Sequence, residues 1–255
     1  MRLKKLFLFI TLLTTLTSFN SIYAQTENYE ISSSAYHDTF HFNLTGVVGI
    51  PSKELKEAVQ NDFGNVGIGF ATSILLNPFG KKKPSPILMG IDFSYLTYGV
   101  DKIEATTYTP PLKTTFNVYN ISGAFRFLPK QSPGFAPFID GMIGSRIFNT
   151  RTKIDKNIVD TILNEDQPEV INTTNDAGLC YTVGVGFFNR KSRKDNDLKG
   201  SFTLRFLYTW GDDTEYILRD SIKLDSSNFV TYETGHARTD MFLIQFGFTL
   251  YWKQR

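Results

Sequence analysis

Three observations predict an all-β fold, a transmembrane antiparallel up-and-down β-barrel of about eight strands with short periplasmic turns and long external loops. The chain opens on an export leader. It then carries eight segments in which apolar and polar residues alternate. In each segment the bulky apolar residues share one face, while the other face holds glycine, small polar residues and charges.

The leader comes first. Arg2, Lys4 and Lys5 form a positive n-region, Leu6 to Leu16 an apolar run, and Ser21-Ile22-Tyr23-Ala24 a cleavage motif with a small residue at its end. Residues 1–24 therefore read as a signal peptide cleaved after Ala24, and 25–39 as a periplasmic segment ahead of a barrel over 40–255. The apolar run is about half of the ~20 residues that a membrane helix needs. No cysteine stands near Ala24, which argues against a lipoprotein.

Removing the leader leaves 24 basic against 25 acidic residues, so nucleic acid is not an expected partner. Cys180 is the only cysteine, so no intramolecular disulfide forms. Phe (23) and Tyr (12) are abundant, and no later apolar stretch reaches the length of a membrane helix.

Phe40 to Ile50, the first segment, sets Phe40, Phe42, Leu44, Val48 and Ile50 against His41, Asn43, Thr45 and Gly49. Asn65 to Leu76 sets Ile68, Phe70 and Ile74 against Gly67, Gly69 and Ser73. Ile87 to Gly99 sets Met89, Ile91 and Phe93 against Gly90, Asp92 and Ser94. Thr115 to Leu128 sets Tyr119, Ile121 and Phe125 against Asn120, Ser122 and Arg126. Phe135 to Asn149 sets Ile139, Ile143 and Ile147 against Asp140, Gly144 and Arg146. Leu179 to Phe188, Phe202 to Gly211 and Met241 to Trp252 repeat the plan, with Cys180, Arg205 and Gln245 on their polar faces. Segments of this length suit tilted membrane strands of ~9–11 residues better than soluble strands of ~5–6. A soluble barrel would carry its apolar face inside; here the small, polar face suits a narrow lumen.

Connections alternate short (Asn77 to Pro86, Pro129 to Gly134, Asn189 to Gly200) and long (Pro51 to Phe63, Val100 to Thr114, Thr150 to Ala177, Asp212 to Asp240). The short turns are basic, through Lys81 to Lys83 and Arg190 to Lys194. The two longest loops are acidic, through Asp155, Asp160, Glu165, Asp166, Glu169, Asp212, Asp213, Glu215, Asp220 and Asp225. Each of the two has room for a further hairpin, because Arg151 to Ile154 and Glu215 to Leu218 still alternate. Pro51-Ser52 with Leu55, Ala58 and Val59 after it predicts a short amphipathic helix, either over the barrel mouth or as a solvated turn on neighbouring loops.

The leader, the eight amphipathic strands, the interior glycines and the closing Phe246-Gly247-Phe248-Thr249-Leu250-Tyr251-Trp252 together resemble the small outer-membrane β-barrel families, the porin-like and PorT-like group and the OmpA/OmpX-type barrels. The resemblance implies a Gram-negative outer membrane and surroundings of outer-membrane lipid and lipopolysaccharide. It also implies insertion by the barrel assembly machinery, which reads an aromatic last strand; Phe246, Phe248 and Trp252 match that signal, and Lys253-Gln254-Arg255 come after it.

The candidate site is a set of lumen charges: Asp92, Arg126, Asp140, Arg146 and Arg205. Arg126 is expected to bridge Asp92 and Asp140, with Arg205 extending the network and Arg146 higher. Such a cluster either plugs the lumen or sets the selectivity of a narrow channel. A lipid-modifying enzyme is the weakest alternative: of His37, His41 and His236 only His236 lies in an external loop, beside Thr239 and Asp240, and no G-x-S-x-G motif accompanies it. No calcium-loop motif occurs, so neither a metal nor a cofactor is expected. Cys180 reads as a small lumen filler. Tyr95, Tyr98, Tyr208, Trp210, Tyr251 and Trp252 are expected in the interfacial girdles. The expected function is non-enzymatic, structural or surface-contacting.

Overall fold

The computed structural model describes residues 40–58, 66–79, 85–103, 111–129, 134–154, 170–190, 199–218, 221, 223–224 and 230–252. The expected leader with its expected cleavage after Ala24, His37, the Lys81 to Lys83 turn and most of the acidic loop after Ile154 lie outside the described residues.

Alternation at period two becomes strand throughout. The barrel staves are β1 (Phe40–Pro51), β2 (Gly67–Leu76), β3 (Ile87–Ile103), β4 (Leu112–Phe127), β5 (Gly134–Ile154), β6 (Val170–Arg190) and β7 (Lys199–Gly211), closed by β12 (Met241–Trp252). Helix α1 (Lys53–Ala58) follows β1. Between β7 and β12 stand two small antiparallel pairs, β8 (Asp213–Ile217) with β11 (Thr234–Arg238) and β9 (Lys223–Leu224) with β10 (Val230–Thr231). Around the ring the order is β1-β12-β7-β6-β5-β4-β3-β2, and β1 also pairs with β2. Closure joins Phe40 to Trp252 and removes the free edge that an open sheet would present. The ring therefore has eight strands, and the extra pairing in the last long loop stands outside it.

Several staves outrun the alternation that announced them. β3 continues past Gly99 to Ile103, β5 past Asn149 to Ile154, and β6 begins at Val170 rather than Leu179. The added residues mix Thr, Asn, Asp, Lys and Arg with a few apolar ones and lack the apolar alternation, and the ladder with the neighbouring strand carries them. β3 leaves β2 after Thr97, where one extra residue enters before Val100. Gly99 takes φ 121° there, a conformation that glycine adopts without steric cost. The bulge inverts the parity of the residues beyond it, so Val100 points outward.

The outward face is apolar on every stave, with Leu44, Ile68, Ile91, Ile121, Ile143, Val185, Phe202 and Phe248 all exposed. The inner face is layered. Towards the short turns, Leu75, Leu88, Leu128, Ala136, Phe138 and Phe188 pack together. Towards the long loops, Val47, Leu96, Val118, Leu207, Met241 and Leu243 form a second cluster, which Leu55 of α1 joins. Adjacent apolar pairs at strand ends, such as Leu75-Leu76 and Phe187-Phe188, supply the inner layers, since neighbours on a strand face opposite ways. Gly90 faces inward where strands press together: a methyl there would fall on the Ile74 carbonyl oxygen.

Candidate functional site in the barrel interior

Between the two apolar layers the staves turn polar side chains inward. Register sets the first contact. Arg126 of β4 stands opposite Asp140 of β5. Its Nε donates to Asp140 Oδ1 at 2.7 Å and its Nη2 to Asp140 Oδ2 at 2.9 Å, a two-pronged pair that fits the planar guanidinium to the planar carboxylate. The guanidinium carbon lies 3.8 Å from the centre of the Phe138 ring. Nη1 reaches Asn43 Oδ1 on β1 at 3.4 Å.

Arg126 does not bridge the two carboxylates; Arg205 does. Register again gives the reason. Asp92 stands opposite Ser122, four positions along β4 from Arg126. Arg205 comes from β7, which is diametrically opposite β3 in the ring. Its Nε donates to Asp140 Oδ2 at 2.9 Å, and its Nη1 donates to Asp92 Oδ2 at 3.1 Å and to Gln245 Oε1 at 2.7 Å. One side chain thus spans the lumen. All four charged groups are buried, and two guanidinium groups balance two carboxylates.

Neutral polar groups continue the network below and beside these charges. Asn43 Nδ2 donates to Ser73 Oγ at 2.6 Å, and the hydroxyl of Thr249 donates to Asn43 Oδ1. Thr203 and Thr249 share a hydrogen bond, as do Thr182 and Thr209. These residues lie on the polar faces that alternation assigns, but their partnership depends on which strands become neighbours.

Arg146 stands higher, apart from the cluster. Its Nε donates to Asn120 Oδ1 at 2.6 Å and its Nη1 to the Thr239 carbonyl oxygen. Asn120 in turn donates to Ser94 Oγ at 2.8 Å.

Leu55 buries itself at the mouth, in a crevice shared with Tyr98, Phe116, Phe148, Tyr216 and Ile217. The short helix is held there by the Ser52 N–H, which donates to the Asp240 carbonyl at 2.8 Å. Both expectations for this helix hold in part: Leu55 packs on the inner layer at the mouth, and the helix also lies against the β8–β11 pair of the last long loop. Cys180 is buried and faces inward. His236 is exposed on β11, opposite Glu215 of β8. Buried His41 packs edge-on against Phe188 at 5.5 Å. Among the described residues no group of His, Cys, Asp and Glu has the arrangement of a metal site.

Two girdle assignments are corrected. Tyr98 and Tyr251 are buried in the interior, as their place in the alternation requires. Tyr208 and Trp210 do face outward, with ring centres 4.9 Å apart. The Trp252 side chain lies outside the described residues, while its backbone pairs with Phe40. Phe246 and Phe248 are exposed on the outward face of β12.

One outward feature was not anticipated. Asn117, Asn149 and Asn175 fall on one rung across β4, β5 and β6. Their amides form a ladder: Asn117 Nδ2 to Asn149 Oδ1 at 3.4 Å, and Asn149 Nδ2 to Asn175 Oδ1 at 2.6 Å. The Tyr95 hydroxyl extends it onto β3, donating to Asn117 Oδ1 at 2.8 Å. Above this rung the four strands rise without a continuous apolar outer face.

No family model matches the chain, and no curated protein matches it. Among solved structures it is similar to Ail, the attachment invasion locus protein of Yersinia pestis, in complex with the heparin analogue sucrose octasulfate, at 11% identity over 85% of this chain and 99% of that one, TM-score 0.44. A second structure of Ail gives 10% identity, coverage of 85% and 99%, and TM-score 0.41. Neisserial surface protein A gives 12% identity, coverage of 84% and 97%, and TM-score 0.37. What the residues themselves establish is a closed antiparallel barrel of eight strands, apolar outside and charged within.

Proposed function

We propose that this chain is a non-enzymatic barrel of a Gram-negative outer membrane, with a lumen closed to solutes and its contacts made at the rim. Membrane residence is supported by the ring of exposed Leu, Ile, Val and Phe, a band of large apolar side chains of a kind that soluble monomers rarely expose. It is supported as well by a closed ladder, which leaves no open sheet edge to face lipid. On β4 the outward apolar run from Tyr119 to Phe127 covers about 20 Å of height at a strand tilt of about 40°, near the ~25 Å of a barrel's apolar band. Tyr95, Tyr119 and the asparagine rung mark its upper edge, where aromatic and polar groups meet the interface.

The observation that carries the closed lumen is the reach of Arg205 from β7 to Asp92 on β3, across the full width of the ring. Apolar layers lie on either side of it. With the interior so occupied, the parts left for interaction are the sheet of β3 to β6 above the asparagine rung and the β8–β11 hairpin. The short turns then face the periplasm and the rim faces outward, in outer-membrane lipid and lipopolysaccharide. Phe246, Phe248 and Trp252 present the aromatic last strand to the assembly machinery.

Reconstitution of the leader-free chain in planar bilayers tests the closed lumen. The expected record is flat. A steady single-channel conductance that changes in Asp140→Asn would overturn the reading in favour of a narrow channel.

A further inference from the structure

Above the asparagine rung the outward wall of β4 and β5 turns basic. Arg151 stands two residues beyond Asn149 on β5, and Lys153 stands four beyond it. Lys113 of β4 is directly opposite Lys153, and Lys102 of β3 is opposite Lys113. Arg151 shares its rung with Thr115 and Thr173. The alternate residues Leu112, Thr114 and Thr152 are buried, so the basic side chains leave the sheet on its outer side. No acidic residue stands on either rung. Among the described residues none of Lys113, Arg151 and Lys153 is in an ion pair. Like charges directly opposite each other on a sheet repel and cost stability, which a polyanion across them would reverse. The rim at the start of β8 has the other sign, with Asp213 and Glu215 exposed.

Height narrows the choice of anion. A rise of about 3.3 Å per residue at a strand tilt of about 40° puts Arg151 about 5 Å and Lys153 about 10 Å above the asparagine rung. The headgroup layer of a bilayer begins at the edge of the hydrocarbon and is about 5–8 Å deep on each side. Going up this wall, apolar residues give way to Tyr95 and Tyr119, then to the asparagine amides, then to the cations. A lipid with its chains along the apolar band brings hydroxyl and then anionic groups to the same heights.

We propose that Lys113, Arg151 and Lys153 bind the phosphate groups of the phosphorylated glycolipid in the outer leaflet. The site rests on the reading of the chain as an outer-membrane barrel and names the part of the lipid that the barrel grips. The Arg151 guanidinium and the two ammonium groups donate to phosphate oxygens, as charge-assisted hydrogen bonds. A headgroup without net charge would leave the lysine pair uncompensated.

Flotation of the leader-free chain with phosphatidylcholine vesicles is read first. A chain that stays in the aqueous phase overturns the membrane reading, whereas a chain that inserts and ignores phosphate overturns this site alone. Native mass spectrometry in detergent micelles then follows a titration with diphosphoryl lipid A, or with the same lipid after its phosphates are removed. The phosphorylated lipid is expected to bind at least about tenfold tighter. Each charge removed is expected to weaken it about fivefold, so Lys153→Gln loses about fivefold and the triple variant Lys113→Gln, Arg151→Gln, Lys153→Gln about a hundredfold. Removing three basic residues from a short turn instead, Lys191→Gln, Arg193→Gln and Lys194→Gln, is expected to leave binding unchanged. Equal affinity for the two lipids, wild-type affinity in the triple variant, or an equal loss in the turn variant overturns the proposal. Inorganic phosphate that displaces the lipid at equal concentration overturns the assignment to a lipid.

Discussion

Arg205 and Arg146 project into the same lumen, yet they are satisfied in opposite ways. Arg205 touches two carboxylates and one amide, and one of those carboxylates, Asp140, is shared with Arg126. Among the described residues Arg146 hydrogen-bonds only to neutral oxygens, with the Asp240 carboxylate acting on it through space. Register and ring order produce the difference. Arg126 meets Asp140 directly across a ladder, and Arg205 reaches Asp92 across the diameter. Opposite Arg146 the register places Asn120 on one side and Gly178 on the other, neither of them charged. A shared, matched cluster binds the staves to one another, whereas Arg146 is tied to its neighbours by hydrogen bonds to neutral oxygens.

Mutations that remove one partner at a time sharpen or break this contrast. Asp140→Asn has the largest expected effect, because it leaves two buried guanidinium groups short of charge. A loss of about 3–5 kcal/mol in urea unfolding is expected. Asp92→Asn removes one charge-assisted contact to Arg205, which keeps Asp140, and about 2–3 kcal/mol is expected. Arg146→Gln gives up hydrogen bonds to neutral oxygens and no close ion pair among the described residues, for about 1–2 kcal/mol. If Arg146→Gln costs as much as Asp140→Asn, the two arginines are equivalent and the contrast fails. Tyr95→Phe is the smallest. It removes one hydroxyl at the upper rung, about 1 kcal/mol, and a thermal melt of the two chains compares them.

The sequence made the staves legible where one face is apolar. Met241–Trp252 has the same ends in sequence and in structure, because Phe242, Ile244, Phe246, Phe248 and Leu250 alternate without interruption. The start of β6, Val170 to Gly178, was not legible, since Asn, Thr and Asp on both faces carry no hydropathy signal. Residue parity put Asp92, Arg126, Asp140, Arg146 and Arg205 on inner faces. It did not assign the bridge, because Arg205 meets Asp92 only once the ring closes. Parity also pointed Tyr98 and Tyr251 inward, against their reading as girdle residues. The two apolar layers left a fainter mark in doubled apolar residues at strand ends, such as Leu75-Leu76.

In the proposed barrel the outward face meets lipid and the inward face does not. Spin labels placed one at a time from Asn117 to Phe127 of β4, in a Cys180→Ala background, test it through collision with oxygen and with a water-soluble nickel chelate. Oxygen is expected to reach Tyr119, Ile121, Gly123, Phe125 and Phe127 in alternation with protected neighbours, and nickel to gain access at Asn117. Nickel access along the whole outward row, with no alternation in oxygen, would contradict it.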